Sequence, residues 1–216
     1  MLNVDIVADI VCPWCWIVTR RLRAAIAIVR RELPDFEVAP HWRPFFLNPD
    51  TPPEGEPYLP FLEHKFGSRE AVEALFERVR AAGREYGLDY AFEKIRLRAN
   101  TLDAHRLIHW AQQQGPAGGL VERLYVAQFV NGEHVGDREL LVTAAAECGY
   151  DAAAARTFLE SGAARDEVIA EERAAREHGV HSVPTFIVDG RIVVVGAEEP
   201  VRLAEAMRTA LAEARA

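Results

Sequence analysis

Val4-Asp5-Ile6-Val7-Ala8-Asp9-Ile10-Val11-Cys12-Pro13-Trp14-Cys15-Trp16 is the stretch whose reading decides the fold. Its first half is apolar and β-branched, the composition of a buried strand, read as Asn3 to Asp9. Its second half opens a helical pattern, with apolar residues at Trp14, Ile17, Val18, Leu22, Ala25, Ile26 and Val29. Pro13 suits the first helical turn, where its missing N–H costs least. Two cysteines therefore stand at a strand-to-helix junction, one helical turn apart. The unpaired N–H groups and positive dipole end of the helix favour a sulfur anion at Cys12. Cys15, one turn in, is expected to be buried, and Cys12 to lie on the more exposed side of the turn.

The elements that follow fit around that junction. The first helix is read from Pro13 to Arg31 and is broken by Leu33-Pro34-Asp35. A second strand is read from Phe36 to Arg43, with Phe36, Val38 and Trp42 inward, and then a proline-rich loop through Pro60. Every strong signal from Leu59 to His178 is helical. Helices are read over Arg69–Gly87 behind a Ser68 cap, Thr101–Gln113, Gly119–Phe129, Asp137 to near Gly149, Asp151–Leu159 and Ala163–Glu177. Strand character returns at Thr185–Val188. Asp189-Gly190 is a strong hairpin signal, Arg191–Val195 the return strand, and Val201–Ala214 a final helix.

Strand, dithiol turn, helix, strand, helical insert, strand, hairpin, strand, helix is the order of a thioredoxin fold interrupted in the middle. The fold class is α/β, with residues 1–48 and 179–216 forming a thioredoxin-like domain and 49–178 a helical insertion. C-x-x-C beside such a pattern is a thioredoxin-like redox cue. The competing reading is half of a zinc site. It lacks a second C-x-x-C, and the third cysteine, Cys148, is far along the chain in a helix, where it reads as a small buried hydrophobe. His105 and His109 are spaced i, i+4 but carry no H-E-x-x-H pattern. No metal and no cofactor is expected.

Composition narrows the partners. The chain has 216 residues, half of them hydrophobic, with a formal net charge of −8. That balance argues against nucleic acid or an anionic membrane surface. No apolar run approaches the roughly 20 residues of a membrane span. The N-terminus shows no secretory signal pattern, so a cytoplasmic location is expected, where a cysteine pair is catalytic or metal-binding rather than structural. The oligomeric state is left open by the sequence.

Four segments together resemble the DsbA family, and within it the FrnE-type branch: Cys12-Pro13-Trp14-Cys15, Trp42-Arg43-Pro44-Phe45, Asn100 to Leu107, and Gly179 to Phe186. The resemblance implies a disulfide oxidoreductase, sometimes with isomerase activity, acting on disulfides or dithiols of proteins or small thiols, glutathione among them. It implies that Cys12 and Cys15 are the redox pair and that Pro184 is a cis proline whose partner Val183 offers its backbone to substrate. Pro13 and Trp14 would tune the couple. Some FrnE-type proteins carry further C-terminal cysteines, which this chain lacks. Asn100 and His105 are candidates for substrate contact, against capping for Asn100 and a structural role for His105. Phe45, Phe46, Trp110 and Trp16 read as packing, and His181 as a solvated loop residue.

Two other functions remain open on the sequence. Kappa-class glutathione transferases and hydroxychromene-carboxylate isomerases resemble this fold and insert, but use a serine-type hydroxyl where Cys12 stands. A chaperone-like binding module would use the same edge without the cysteines.

Overall fold

In the computed structural model, which describes residues 1–213 and the backbone alone of Ile192, strand β1 (Leu2–Ala8) lies inside a four-stranded sheet of order β2-β1-β5-β6. It pairs in parallel with β2 (Val38–Pro44), from Leu2 opposite Val38 to Ala8 opposite Pro44. On its other side it pairs antiparallel with β5 (Thr185–Val188), which turns into β6 (Arg191–Val195). At that turn Asp189 and Gly190 have φ of 47° and 77°. Two consecutive positive φ values are what a two-residue hairpin demands and what an Asp-Gly pair supplies.

The period-two alternation of β1 divides the core. Val4, Ile6 and Ala8 join the main cluster with Ile17, Val18, Leu22 and Val29 of α1 (Pro13–Arg30). The closing helix α9 (Pro200–Glu213) adds Leu203, Ala204 and Met207 to that cluster. Its expected last residue, Ala214, lies outside the described residues. Val7 points to the opposite face and packs with Phe45 and Val180. Each such fully buried side chain contributes roughly 1.5–3 kcal/mol.

Between β2 and β5 the chain is mostly helical: α2 (Tyr58–Phe66), α3 (Arg69–Arg84), α4 (Leu102–Gln112), α5 (Gly118–Val126), α6 (Arg138–Glu147), α7 (Ala152–Ser161) and α8 (Arg165–Glu177). The caps read from the sequence are in place. Ser68, Asp137 and Asp151 each accept a backbone N–H of the helix that follows. Arg106 ties α4 to α7 through the carbonyls of Phe158, Leu159 and Ala163.

Two features depart from the expected pattern. The proline-rich stretch is not loop to Pro60, because α2 begins at Tyr58. Pro60 sits in its first turn, where backbone N–H groups have no helical partner to lose. The insert also holds a short antiparallel ladder, β3 (Glu56–Pro57) with β4 (Leu97–Arg98), too short to leave a periodic signal. The helix α8 also reaches the sheet: Ala175 packs into the Val7–Phe45–Val180 cluster on its second face.

After α5 the chain widens into a π-helical turn, Ala127–Asn131, and leaves it at Gly132 with φ of 71°. A Cβ at Gly132 would fall 2.6 Å from the backbone of Lys94. Glycine there lets the π turn seat against the 3-10 turn Phe92–Lys94, and the N–H of Ala91 donates to the Phe129 carbonyl at 2.7 Å.

Candidate redox site and the cavity beside it

Cys12 is the N-cap residue of α1, with extended backbone and Pro13 directly inside the helix. Its N–H donates to the Asp9 carbonyl at 3.0 Å, and its carbonyl accepts the N–H of Cys15 at 3.1 Å, which closes the turn. Both cysteines are free thiols. Cys15 is completely buried; burial first, and the neighbouring Cys12 sulfur second, push its thiol well above the ordinary cysteine range.

Cys12 is the more accessible of the two cysteines, yet at 4% it is itself buried. The insert roofs the turn. Tyr90 donates its hydroxyl to the Pro13 carbonyl at 2.7 Å. Trp16 is buried against Tyr90, Tyr125 and Phe129, and its indole N–H donates to Glu122 at 3.0 Å, which confirms packing as its role. What reaches Cys12 is a cavity of about 320 Å³, also lined by Pro13, Trp14 and Val183. The Val183–Pro184 bond is cis. The Cys12 thiol donates to the Val183 carbonyl at 3.9 Å. Thus five of the eight residues singled out for the site, Cys12, Cys15, Pro13, Trp14 and Val183, meet at one turn, with Pro184 buried directly behind.

Asn100 and His105 stand elsewhere. Asn100 accepts the N–H of Leu102 at 3.1 Å and donates to the Thr51 carbonyl at 2.7 Å, so it caps the start of α4 and pins the loop before β3. His105 is buried with its Nε2 3.3 Å from Asp9 and its ring edge-to-face with Phe46. Neither lines the cavity. His181 is exposed in its loop. Phe45 packs under Arg176, and Trp110 packs with Tyr150 and Phe158.

Sequence reasoning passed over Asp9. It is 1% exposed, accepts the N–H of Leu47 at 2.8 Å, and holds the Cys12 N–H on its carbonyl. A carboxylate closing an apolar strand three residues before the first cysteine was a visible signal, because a buried charge has to be partnered. It also passed over Arg98 and Gln128, which line the cavity from β4 and the π turn. No local pattern marks these two, since only the folded insert brings them together.

A wider depression of about 750 Å³ lies between β6 and α9, lined by none of the residues of the redox turn. Among the described residues no cluster of three or more His, Cys, Asp or Glu is placed to hold a metal ion. No helix among them is long and apolar enough to cross a membrane.

Residues 3–208 match the family model of the DSBA-like thioredoxin domain. Among curated proteins the chain is 26% identical over 198 residues to the uncharacterized protein YwbO of Bacillus subtilis, covering 91% of this chain and 90% of that one. Among solved structures it is 32% identical to SCO1869 of Streptomyces coelicolor, described as a probable DsbA oxidoreductase. That match has a TM-score of 0.86 and covers 99% of this chain and 91% of the other. The fold also matches DsbM of Pseudomonas aeruginosa, described as a cytosolic disulfide reductase with GSH, at 15% identity and a TM-score of 0.67 over the whole of both chains.

Proposed function

This chain belongs to the DSBA-like thioredoxin domain family, and we propose on that premise that it is a cytoplasmic thiol–disulfide oxidoreductase whose covalent work is done by Cys12 and Cys15. The observation that carries the reading is the asymmetry of the pair. Cys12 lines a cavity at a helix N-terminus, and Cys15 is sealed one turn below it.

The Cys12 thiolate attacks one sulfur of a substrate disulfide. An S–S bond forms between Cys12 and the substrate, and the other substrate sulfur leaves as a thiolate. Cys15 then gives up its proton and attacks the Cys12 sulfur. The internal disulfide forms, the second substrate thiol is released, and two electrons have passed from the pair to the substrate. A cellular thiol returns the couple to the dithiol. The DsbM structure with GSH supports glutathione in that part.

Run backwards, the same steps oxidise a substrate dithiol. Pro13 stiffens the turn, Trp14 gives the attacking sulfur an uncharged wall, and the Val183 backbone receives the substrate beside Cys12. Asn100 and His105 act as positioning residues, the first fixing the start of α4 and the second bracing Asp9.

Insulin turbidity with a thiol donor tests the assignment. The wild-type chain is expected to accelerate precipitation, and Cys12→Ser to fall to the uncatalysed rate. Retained activity in Cys12→Ser would overturn the reading.

A further inference from the structure

The cavity beside Cys12 has a chemical character that thiol exchange alone does not require. Its walls are apolar and aromatic, with Tyr58, Phe61, Phe76 and Phe92 among them. Three cationic side chains line it, the exposed Lys65 and Arg78 and the buried Arg98, and no acidic side chain does. The chain as a whole has 33 acidic against 25 basic residues, so a wall with cations alone runs against the composition.

Two polar atoms in that wall are buried without a partner: Nε of Arg98 and Oε1 of Gln128, on residues only 8% and 1% exposed. Buried polar groups normally find hydrogen bonds, and those left open cost stability. Arg98 is held in place from both sides. Its guanidinium lies 3.8 Å from the Phe61 ring centroid, and one terminal nitrogen donates to Glu56 at 3.0 Å. The Nε edge stays free. Gln128 sits on the π turn that ends α5.

We propose that this cavity is the substrate pocket of the Cys12–Cys15 couple, and that its substrate is a low-molecular-weight disulfide or thiol with an apolar body and a carboxylate. The inference rests on the thiol–disulfide reading above and narrows it. The apolar body fills the aromatic wall, the carboxylate takes the free edge of Arg98, and a hydrogen-bond donor of the ligand meets Gln128. A volume of about 320 Å³ lies at the lower end of what pockets for small molecules enclose. The anionic group is attracted by Lys65 and Arg78 on the way in, and the sulfur is delivered to Cys12. The exchange steps are unchanged: the ligand disulfide is reduced to two thiols and the cysteine pair is oxidised.

The test uses the reduced full chain and two aromatic disulfides, carboxylated dithiobis(nitrobenzoate) and uncharged dithiodipyridine. Each second-order rate is divided by the rate of the same disulfide with dithiothreitol, and the quotient for the carboxylated reagent is then divided by that for the uncharged one. The wild-type ratio is expected to exceed one. Arg98→Met should lower it about tenfold, the loss of one charge-assisted hydrogen bond. Glu56→Gln, which removes the competing negative charge from the guanidinium, should raise it. A variant that folds poorly loses both rates together and leaves the ratio standing. A ratio indifferent to both substitutions would overturn the pocket. If neither reagent yields the internal disulfide by mass spectrometry, the redox reading itself has failed, a different outcome from an unselective pocket.

Discussion

The sheet with its first helix and the helical insert contribute unlike things to the site. In the proposed reaction the sheet side supplies the sulfurs that make and break bonds, Cys12 and Cys15 on the first turn of α1, with the Val183 backbone before the cis proline beside them. The insert supplies most of the rest of the cavity wall, from Tyr58 on α2 to Gln128 on the π turn. The two cysteines of the first set lie three residues apart and are fixed by backbone hydrogen bonds, and β5 brings Val183 to them from the other end of the chain. The second is gathered from α2, α3, β4 and the π turn. On the proposed reading, bond exchange rests on the sheet side and most of the recognition on the insert, so substitutions in one should leave the signature of the other readable.

The sharpest way to break that division is Cys15→Ser. Turnover should fall on the order of a thousandfold or more, the loss expected when a covalent group is removed. The first attack should survive, leaving a stable mixed disulfide on Cys12 that intact-mass measurement detects. No adduct would mean that the sheet side does not hold the attacking group as described.

Next in size is Arg106→Met. Arg106 is 1% exposed and bonds three carbonyls of the α7 region together with Asp103. Its loss should cost about 3 kcal/mol, because the buried carbonyls lose their charged donor and Asp103 is left with Arg138 alone. That is a fall of roughly 6–12 °C in thermal midpoint. The Cys12–Cys15 disulfide should still form, since α1 and the sheet hold both sulfurs. Failure to form it would show that the insert also sets the chemistry.

The smallest effect is a pH dependence. Burial keeps the Cys15 thiol neutral, so resolution of a mixed disulfide in the wild-type chain should quicken by up to about tenfold per pH unit between neutral pH and about 9. Stopped-flow release of the second thiol measures it. The same burial acts on stability. The unfolded chain ionises its cysteine near the ordinary value of 9.0 while the folded one resists. The stabilisation of the reduced protein is therefore full below that pH and is lost as pH rises above it. Denaturant midpoints of the reduced chain that stay flat through this range would contradict the burial of Cys15.

Where the chemistry lies close in sequence, the sequence was legible. The apolar run of β1, the proline at the helix start and the cysteine spacing gave the β1–turn–α1 unit almost to the residue. Asp189-Gly190 gave the hairpin, and Ser68, Asp137 and Asp151 gave three helix starts, because caps and tight turns act over three or four residues. What depended on assembly did not show. Arg98 and Gln128 carry no pattern of their own, and α2 was hidden because prolines read as loop until their place in the first turn is known. The burial of Cys12 comes from Tyr90 and the rest of the roof, from a part of the chain that periodicity describes only as helical.

Trp16 follows the second cysteine directly and is clamped among Tyr90, Tyr125 and Phe129. An excited indole can pass an electron to a neighbouring disulfide but not to a pair of thiols. Light emitted by that ring is therefore expected to dim when the proposed couple closes and to brighten when it opens, a gauge of oxidation state with no dye attached.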